Sequence, residues 1–337
     1  MELSREQSNY IKGLGILLIM IHNFVDILLK ITCNEMFYSQ KATDAFLANL
    51  FTTDALWYLL SFAGWIGVPL FFFISGYGLT KKYHNTGTLK NSTYIKNHLV
   101  KLWKLMIPIF LLYLCIYHTN IQSAVAHLSF TINILSYGKN SFHMDPGIYW
   151  FFGAILQFYL LFLLLRKLNT RWLLVLCVAF LLVQYCIVYF ANYHQSNWLR
   201  HNFVGWSVPF LLGMIAARSH FNPSKPTTRF LCAFSIIAVG ACLVIRWLAP
   251  FTEVATIVFF VTLSKLTTMK WACFLGIISP SIFALHPLIR MLIYGLCFKP
   301  EYVLVLTIVY AVVVIVLSWA HHKALSNPNL LKLKRTN

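Results

Sequence analysis

Apolar residues in this chain come in long runs. They form neither the one-faced stripes of soluble helices nor the alternation of half-buried strands. Ten runs of about 16 to 25 residues predict ten membrane-crossing helices. They lie near 11–29, 56–80, 102–118, 148–165, 172–190, 203–217, 230–248, 251–267, 271–294 and 302–319. The run 203–217 is short, and two runs nearly abut at Pro250. No inverted repeat and no low-complexity stretch interrupts them. The first run is too long for a cleavable signal, and no small-residue cleavage site follows it. The expected fold is all-α, a polytopic transmembrane bundle. It forms one domain over 1–337, with a core at about 8–320 and a basic tail at 321–337.

Composition agrees. Of 337 residues, 59% are hydrophobic and 11% charged, against about 25% charged in soluble domains. The net charge of +18 would suit a nucleic-acid partner in a soluble protein, so the location of the charges matters. With the N-terminus inside, 20 of the 27 lysines and arginines fall on the inner side and 7 on the outer. That asymmetry predicts both termini in the cytoplasm, and an even number of spans. It accounts for the charge without nucleic acid. The eight cysteines contain no Cys-x-x-Cys pair and no metal-ligand spacing. Cys33 and Cys297, near helix ends, are the pair that could join. No metal site is expected.

Four stretches carry candidate chemistry. The first is Tyr10 to Asp26, an apolar run with Lys12 at its start and His22 inside it. Ten residues place His22 roughly 15 Å beyond Lys12, near mid-membrane, where a titratable group is costly. Asp26 shares its face one turn on, which would orient the ring and favour its charged form, as suits a general base. Gly15, on the same face, would admit a close neighbour. The alternative is a histidine that merely bonds a neighbouring helix. The second stretch contains Ser75-Gly76-Tyr77-Gly78 before Lys81 and Lys82, a phosphate site or a small-residue packing face. The third runs from Lys96 to Pro108 with His98, Lys101, Trp103 and Lys104, an interfacial anchor or a contact for a phosphorylated cofactor. The fourth, Ser279 to Pro287, sets His286 beside a proline, which suggests either a lined cavity or a packed polar contact. Two long outer loops, about 30–55 and 119–147, hold Glu35, Asp44, Asp54, His127, His143 and Asp145. They read as a cap over an outward-facing site or as ordinary interfacial loops. No Ser-His-Asp order, nucleotide loop or His-Glu-x-x-His occurs.

Together these stretches resemble the bacterial acyltransferase-3 family. Lys12-Gly13 through His22 is similar to its basic-Gly-aliphatic-His segment. Phe72-Phe73-Ile74-Ser75-Gly76-Tyr77 is similar to its Phe-Phe-x-x-Ser-Gly-Tyr/Phe segment. Lys101 to Pro108, Trp150-Phe151-Phe152, Phe210 to Met214 and Ser281 to Pro287 follow in the same order. The resemblance implies a ten-helix core with no permanently bound cofactor. Acetyl-CoA or another acyl-CoA would serve as co-substrate, and the group would pass to a hydroxyl of a cell-surface glycan or lipid-linked sugar. Lys12 takes the place of the family's usual arginine, and His22 that of its essential histidine. Nine residues separate them here, where the family commonly has ten. Either a local helix distortion restores the register, or Asn23 occupies the histidine position and His22 reaches from beside it.

The sequence therefore predicts a multi-pass enzyme of the bacterial inner membrane. His22 would be the base, assisted by Asp26 or Asn23. Lys12, Ser75, Tyr77, Lys81, Lys82, Lys101 and Lys104 are candidates for acyl-CoA, and His286 and Trp150 for the acceptor. The partners expected are acyl-CoA, glycan and lipid bilayer. The alternative is a transporter or flippase for a glycan or lipid-linked intermediate, with His22 in a proton relay.

Overall fold

The computed structural model describes residues 2–29, 38–84, 89–116, 121–135, 149–191, 193–296 and 302–327. Lys30, Glu35, Lys139, His143, Asp145, Lys299, Cys33 and Cys297 lie outside them. Among the described residues all regular structure is helical. Each of the ten apolar runs falls on helix. In order the helices are α1 Arg5–Leu29, α2 Gln40–Ala48, α3 Ala55–Ala63, α4 Gly67–Tyr83 and α5 Asn91–Ile116. They continue with α6 Ile121–Leu128, α7 Ile132–Leu135, α8 Trp150–Leu165, α9 Thr170–Phe190 and α10 Tyr193–Arg200. The remainder are α11 Phe203–Arg218, α12 Lys225–Val244, α13 Thr252–Leu266, α14 Lys270–Leu296 and α15 Val303–Ser326. The 3₁₀ turn Gly64–Ile66 joins α3 to α4, and the stretch Arg246–Phe251 leads into α13. Among the described residues, eight helical segments are long and apolar enough to cross a membrane. The α8 and α11 helices, at 16 residues each, reach only about 24 Å, less than the hydrocarbon thickness of about 30 Å.

The α1 helix is the axis of the bundle. It packs parallel to α14: Cys273 meets the Glu6 carbonyl near one end, and Arg290 Nη1 donates to the Asn23 carbonyl at 3.4 Å near the other. The contact is close because both surfaces carry glycine. A Cβ on Gly13 would strike the Ala272 carbonyl, and one on Gly276 would strike that of Asn9. Without a hydrophobic drive between helices in lipid, such backbone approach is a main source of association. Gly76 and Gly213 bring α4 and α11 together in the same way. For Gly76 the packing alternative is therefore what the fold uses.

Prolines inside the helices are accommodated rather than terminal. Pro280 removes the donor for the Gly276 carbonyl, and the Ser279 hydroxyl supplies one at 2.9 Å. Pro209 does the same to Gly205, whose carbonyl accepts from Gln184 Nε2 at 2.9 Å. The basic stretch before Pro108 is likewise helical, because α5 begins at Asn91, about three turns before the span expected from hydropathy.

Residues 121–135, the described part of the segment after α5, depart from the interfacial-loop alternative. Trp103 Nε1 donates to the Leu128 carbonyl at 3.0 Å, and His127 stacks on Phe110. Trp103 lies about 20 Å before the end of α5, so residues 121–135 fold back along that helix into the bundle. Ser123, Ala126, His127 and Asn133 are buried there. Phe130, with φ of 59°, makes the reversal. Asn133 then donates to the His201 carbonyl at 2.9 Å and accepts at its own carbonyl from Asn202. Polar backbone at this depth is tolerated because protein, not lipid, surrounds it.

Candidate functional site

Two features occupy the same helix at different depths. At the N-terminal end of α1 a cavity of about 1070 Å³ opens among Arg5, Asn9, Lys12, Tyr77, Lys81 and His322. The first turn of the chain crosses it. The Leu3 N–H donates to the Tyr77 hydroxyl at 2.8 Å, and the Glu2 carboxylate lies 3.8 Å from Lys81 Nζ. Lys12 is half-buried on its wall, and the neighbouring positive charges that act on it are Lys101 and Arg5. So many cations around a polar hollow, with one exposed acid among them, favour an anionic ligand.

About 15 Å further along α1 is His22, 8% exposed. Its position follows from Gly64. A Cβ there would overlap the His22 Cβ, so only glycine lets the turn after α3 lie against this side chain. Two helical turns below on α1, Gly15 meets Gly67 in the same manner. The imidazole is held by the backbone of Leu60 and Ser61, while its Nδ1 is buried with no hydrogen-bond partner. Arg200 and Arg290 are the charged groups that bear on it.

The sequence candidates separate on this geometry. Lys12, Tyr77 and Lys81 come together in the inner cavity, with Lys101 near its edge. Lys82 instead lies 4.9 Å over the Tyr83 ring, and Lys104 is exposed on α5 away from the lining. Ser75 precedes the packing glycine and does not line the cavity. Asp26 does not hold the His22 ring as its spacing suggested: its carboxylate accepts from the Ser61 hydroxyl at 3.2 Å. The reason is that α3 approaches closely enough to present both Ser61 groups, backbone to His22 and hydroxyl to Asp26. Asn23 donates its amide to the Ile19 carbonyl at 2.8 Å, so it satisfies its own helix. The α1 helix is uninterrupted from Arg5 to Leu29. A distortion restoring the family spacing is therefore absent, and His22 rather than Asn23 presents an unpartnered nitrogen.

His286 sits about one turn below His22: Arg290 meets Asn23 and Cys273 meets Glu6, a register that sets His286 opposite Ile19. It is fully buried, with Nδ1 3.0 Å from the Ile282 carbonyl and its own carbonyl accepting from Tyr310. Its Nδ1 thus makes a packed polar contact, while its Nε2 is buried without a partner, like Nδ1 of His22. Trp150 is half-buried, stacked 5.7 Å from Trp206 and 5.2 Å from the His201 ring.

The chain matches the acyltransferase-3 family, described as an acyltransferase domain, over residues 5–323. The chain belongs to the acyltransferase-3 family. No curated relative and no solved structure matches it. As an acyltransferase-3 protein it is an integral membrane acyltransferase, and the site must be sought in its helical body. Sequence reasoning missed several of the residues gathered there. Arg200 and Arg290 are two of the seven charges counted on the outer side. Arg290 lies within α14 and Arg200 at the end of α10, both acting on His22. The available signal was a cation inside the apolar run 271–294, which is expensive in lipid unless used. Gly64 and Ser61 carried no such signal. Among the described residues no His, Cys, Asp and Glu cluster could hold a metal.

Proposed function

We propose that this acyltransferase carries an acetyl group from cytoplasmic acetyl-CoA to a hydroxyl of a glycan or lipid-linked sugar on the far side of the bacterial inner membrane. Both termini then lie in the cytoplasm, with the 1–337 chain acting as one unit. The observation that carries this reading is the arrangement on α1. A basic polar cavity at one end lies below a buried histidine whose Nδ1 lacks a partner.

In this reading the phosphates of the donor engage Arg5, Lys12 and Lys81, with Lys101 adding charge at the edge. Lysines act here as point charges, less directional than a guanidinium fork. The acyl thioester reaches upward along α1. The acceptor hydroxyl gives its proton to His22 Nδ1 as its oxygen attacks the thioester carbonyl carbon. The C–O bond forms, the C–S bond breaks, and the departing thiolate recovers the proton from the imidazolium. Ser61 and Asp26 serve as positioning groups that hold α3 against α1. The half-buried Trp150, backed by the buried Trp206, offers an aromatic face for a sugar ring.

Thermal unfolding of the detergent-purified protein tests the donor, because a ligand bound to the folded state raises its stability by mass action. Acetyl-CoA and CoA should both raise the midpoint, and Lys12→Ala with Lys81→Ala should diminish the rise. No shift at millimolar ligand in folded protein would overturn the acyl-CoA assignment.

A further inference from the structure

A second cavity, of about 430 Å³ and lined by none of the α1 residues, lies between α11, α12 and α13. Its walls are apolar. Leu212 and Ile215 of α11 face Ile257 and Val261 of α13, and Phe221 lines the N-terminal-side end. The lining residues of α13 recur from Val254 to Lys265, one stripe about 16 Å long that ends at the membrane face shared with the N-terminus. The polar groups along it are mostly spoken for. The Thr262 hydroxyl donates to the Val258 and Phe259 carbonyls, and Ser219 Oγ accepts from the Phe221 N–H. Lys265 differs. Its ammonium has three donors, and the contact it makes is to Asn222 Oδ1 at 2.8 Å.

An apolar slot within the hydrocarbon depth is filled by acyl chain, because lipid is the solvent there. A cation at its mouth adds a preference for a negatively charged headgroup. We infer that this groove binds one anionic phospholipid of the leaflet nearest the N-terminus. One acyl chain lies along α13 and the phosphate meets Lys265 Nζ. Asn222 holds the loop after α11 in place, so that Lys265 stays at the mouth. The site is independent of the acyltransferase chemistry and holds if that reading fails.

Native mass spectrometry of the full chain, released from detergent after incubation with phosphatidylglycerol or phosphatidylcholine, tests it. The wild type should retain one phosphatidylglycerol in preference to phosphatidylcholine. Lys265→Ala should weaken that retention about fivefold and erase the preference, as expected for one basic residue at an anionic lipid. Lys265→Arg should restore it. Val258→Trp, which fills the slot, should abolish retention of both lipids; if that variant does not fold, the Lys265 pair carries the test. Equal retention of the two lipids by wild type and Lys265→Ala would overturn the proposal. So would a protein dimer in place of the lipid adduct.

Discussion

The two ends of α1 invite comparison. From Arg5 to Lys12 the helix borders a roomy polar cavity with several cations and an exposed acid. From Gly13 to Leu28 it is gripped by backbone, with Gly276, Gly67 and Gly64 each closing on it. The lower end tolerates charge because it opens on a polar cavity. The upper end tolerates one imidazole because packed backbone holds it. In the proposed reading, binding and chemistry are divided along one helix. A side chain's worth depends on what packs beside it as much as on its own type. The parallel helix α14 repeats the lesson: His286, about one turn below His22, turns its Nδ1 to its own helix.

The division is broken most severely at His22. Replacing His22 with Ala should lower transfer by about 10² to 10⁴-fold, the usual contribution of a general base, with the unfolding midpoint nearly unchanged. Retention of normal turnover in an acyl-transfer assay would remove His22 from the mechanism. Gly64→Ala should act on the same residue from the other side. Its new methyl group overlaps the His22 Cβ, so about 1 to 3 kcal/mol of stability and most activity should be lost. Gly78→Ala, where nothing lies within 4 Å, is the matched control and should unfold like wild type.

At the lower end the expected effect is smaller and of another kind. Lys12→Ala should raise KM for the acyl donor about tenfold with kcat little altered, as for loss of one charge-assisted contact. A fall in kcat at unchanged KM would move Lys12 into the chemical step. The smallest effect concerns His84, just past the C-terminal end of α4. Partial burial, then Arg218 and Arg166, hold its imidazole below the usual value of 6.5. The unfolded chain therefore takes up a proton there first as pH falls below about 6.5, and this favours unfolding. Stability should decline modestly below that pH, less so in His84→Gln, because the group is largely solvated. Unfolding midpoints measured between pH 7.5 and 5.5 would show it, and identical slopes in the two proteins would refute it.

Much of this was readable from the chain. The helical positions of the apolar runs, the polytopic class and the acyltransferase-3 family follow from local runs and spacings, although ten spans were expected and eight helical segments among the described residues are long and apolar enough to cross. So does the prominence of His22, since an ionisable residue within an apolar run stands out wherever the fold puts it. Asp26 shows the limit. Its spacing from His22 suggested a pair, yet Ser61, 35 residues away, takes its carboxylate. Residues 121–135 carry no pattern that distinguishes a re-entrant segment from a surface loop, and only the Trp103 and Asn133 contacts reveal their depth.

The sequence by itself determined which segments are membrane helices, because the bilayer imposes a rule on single runs: about 20 apolar residues, with every backbone group satisfied within the helix. Tertiary structure decided which side chains meet. It drew Arg290 and Arg200 toward His22, gathered Lys12, Tyr77 and Lys81 around one cavity, and sent Lys82 and Lys104 elsewhere. Those outcomes depend on glycines that let particular helices approach at particular heights. Such complementarity belongs to pairs of surfaces, and no single stretch of the chain encodes it.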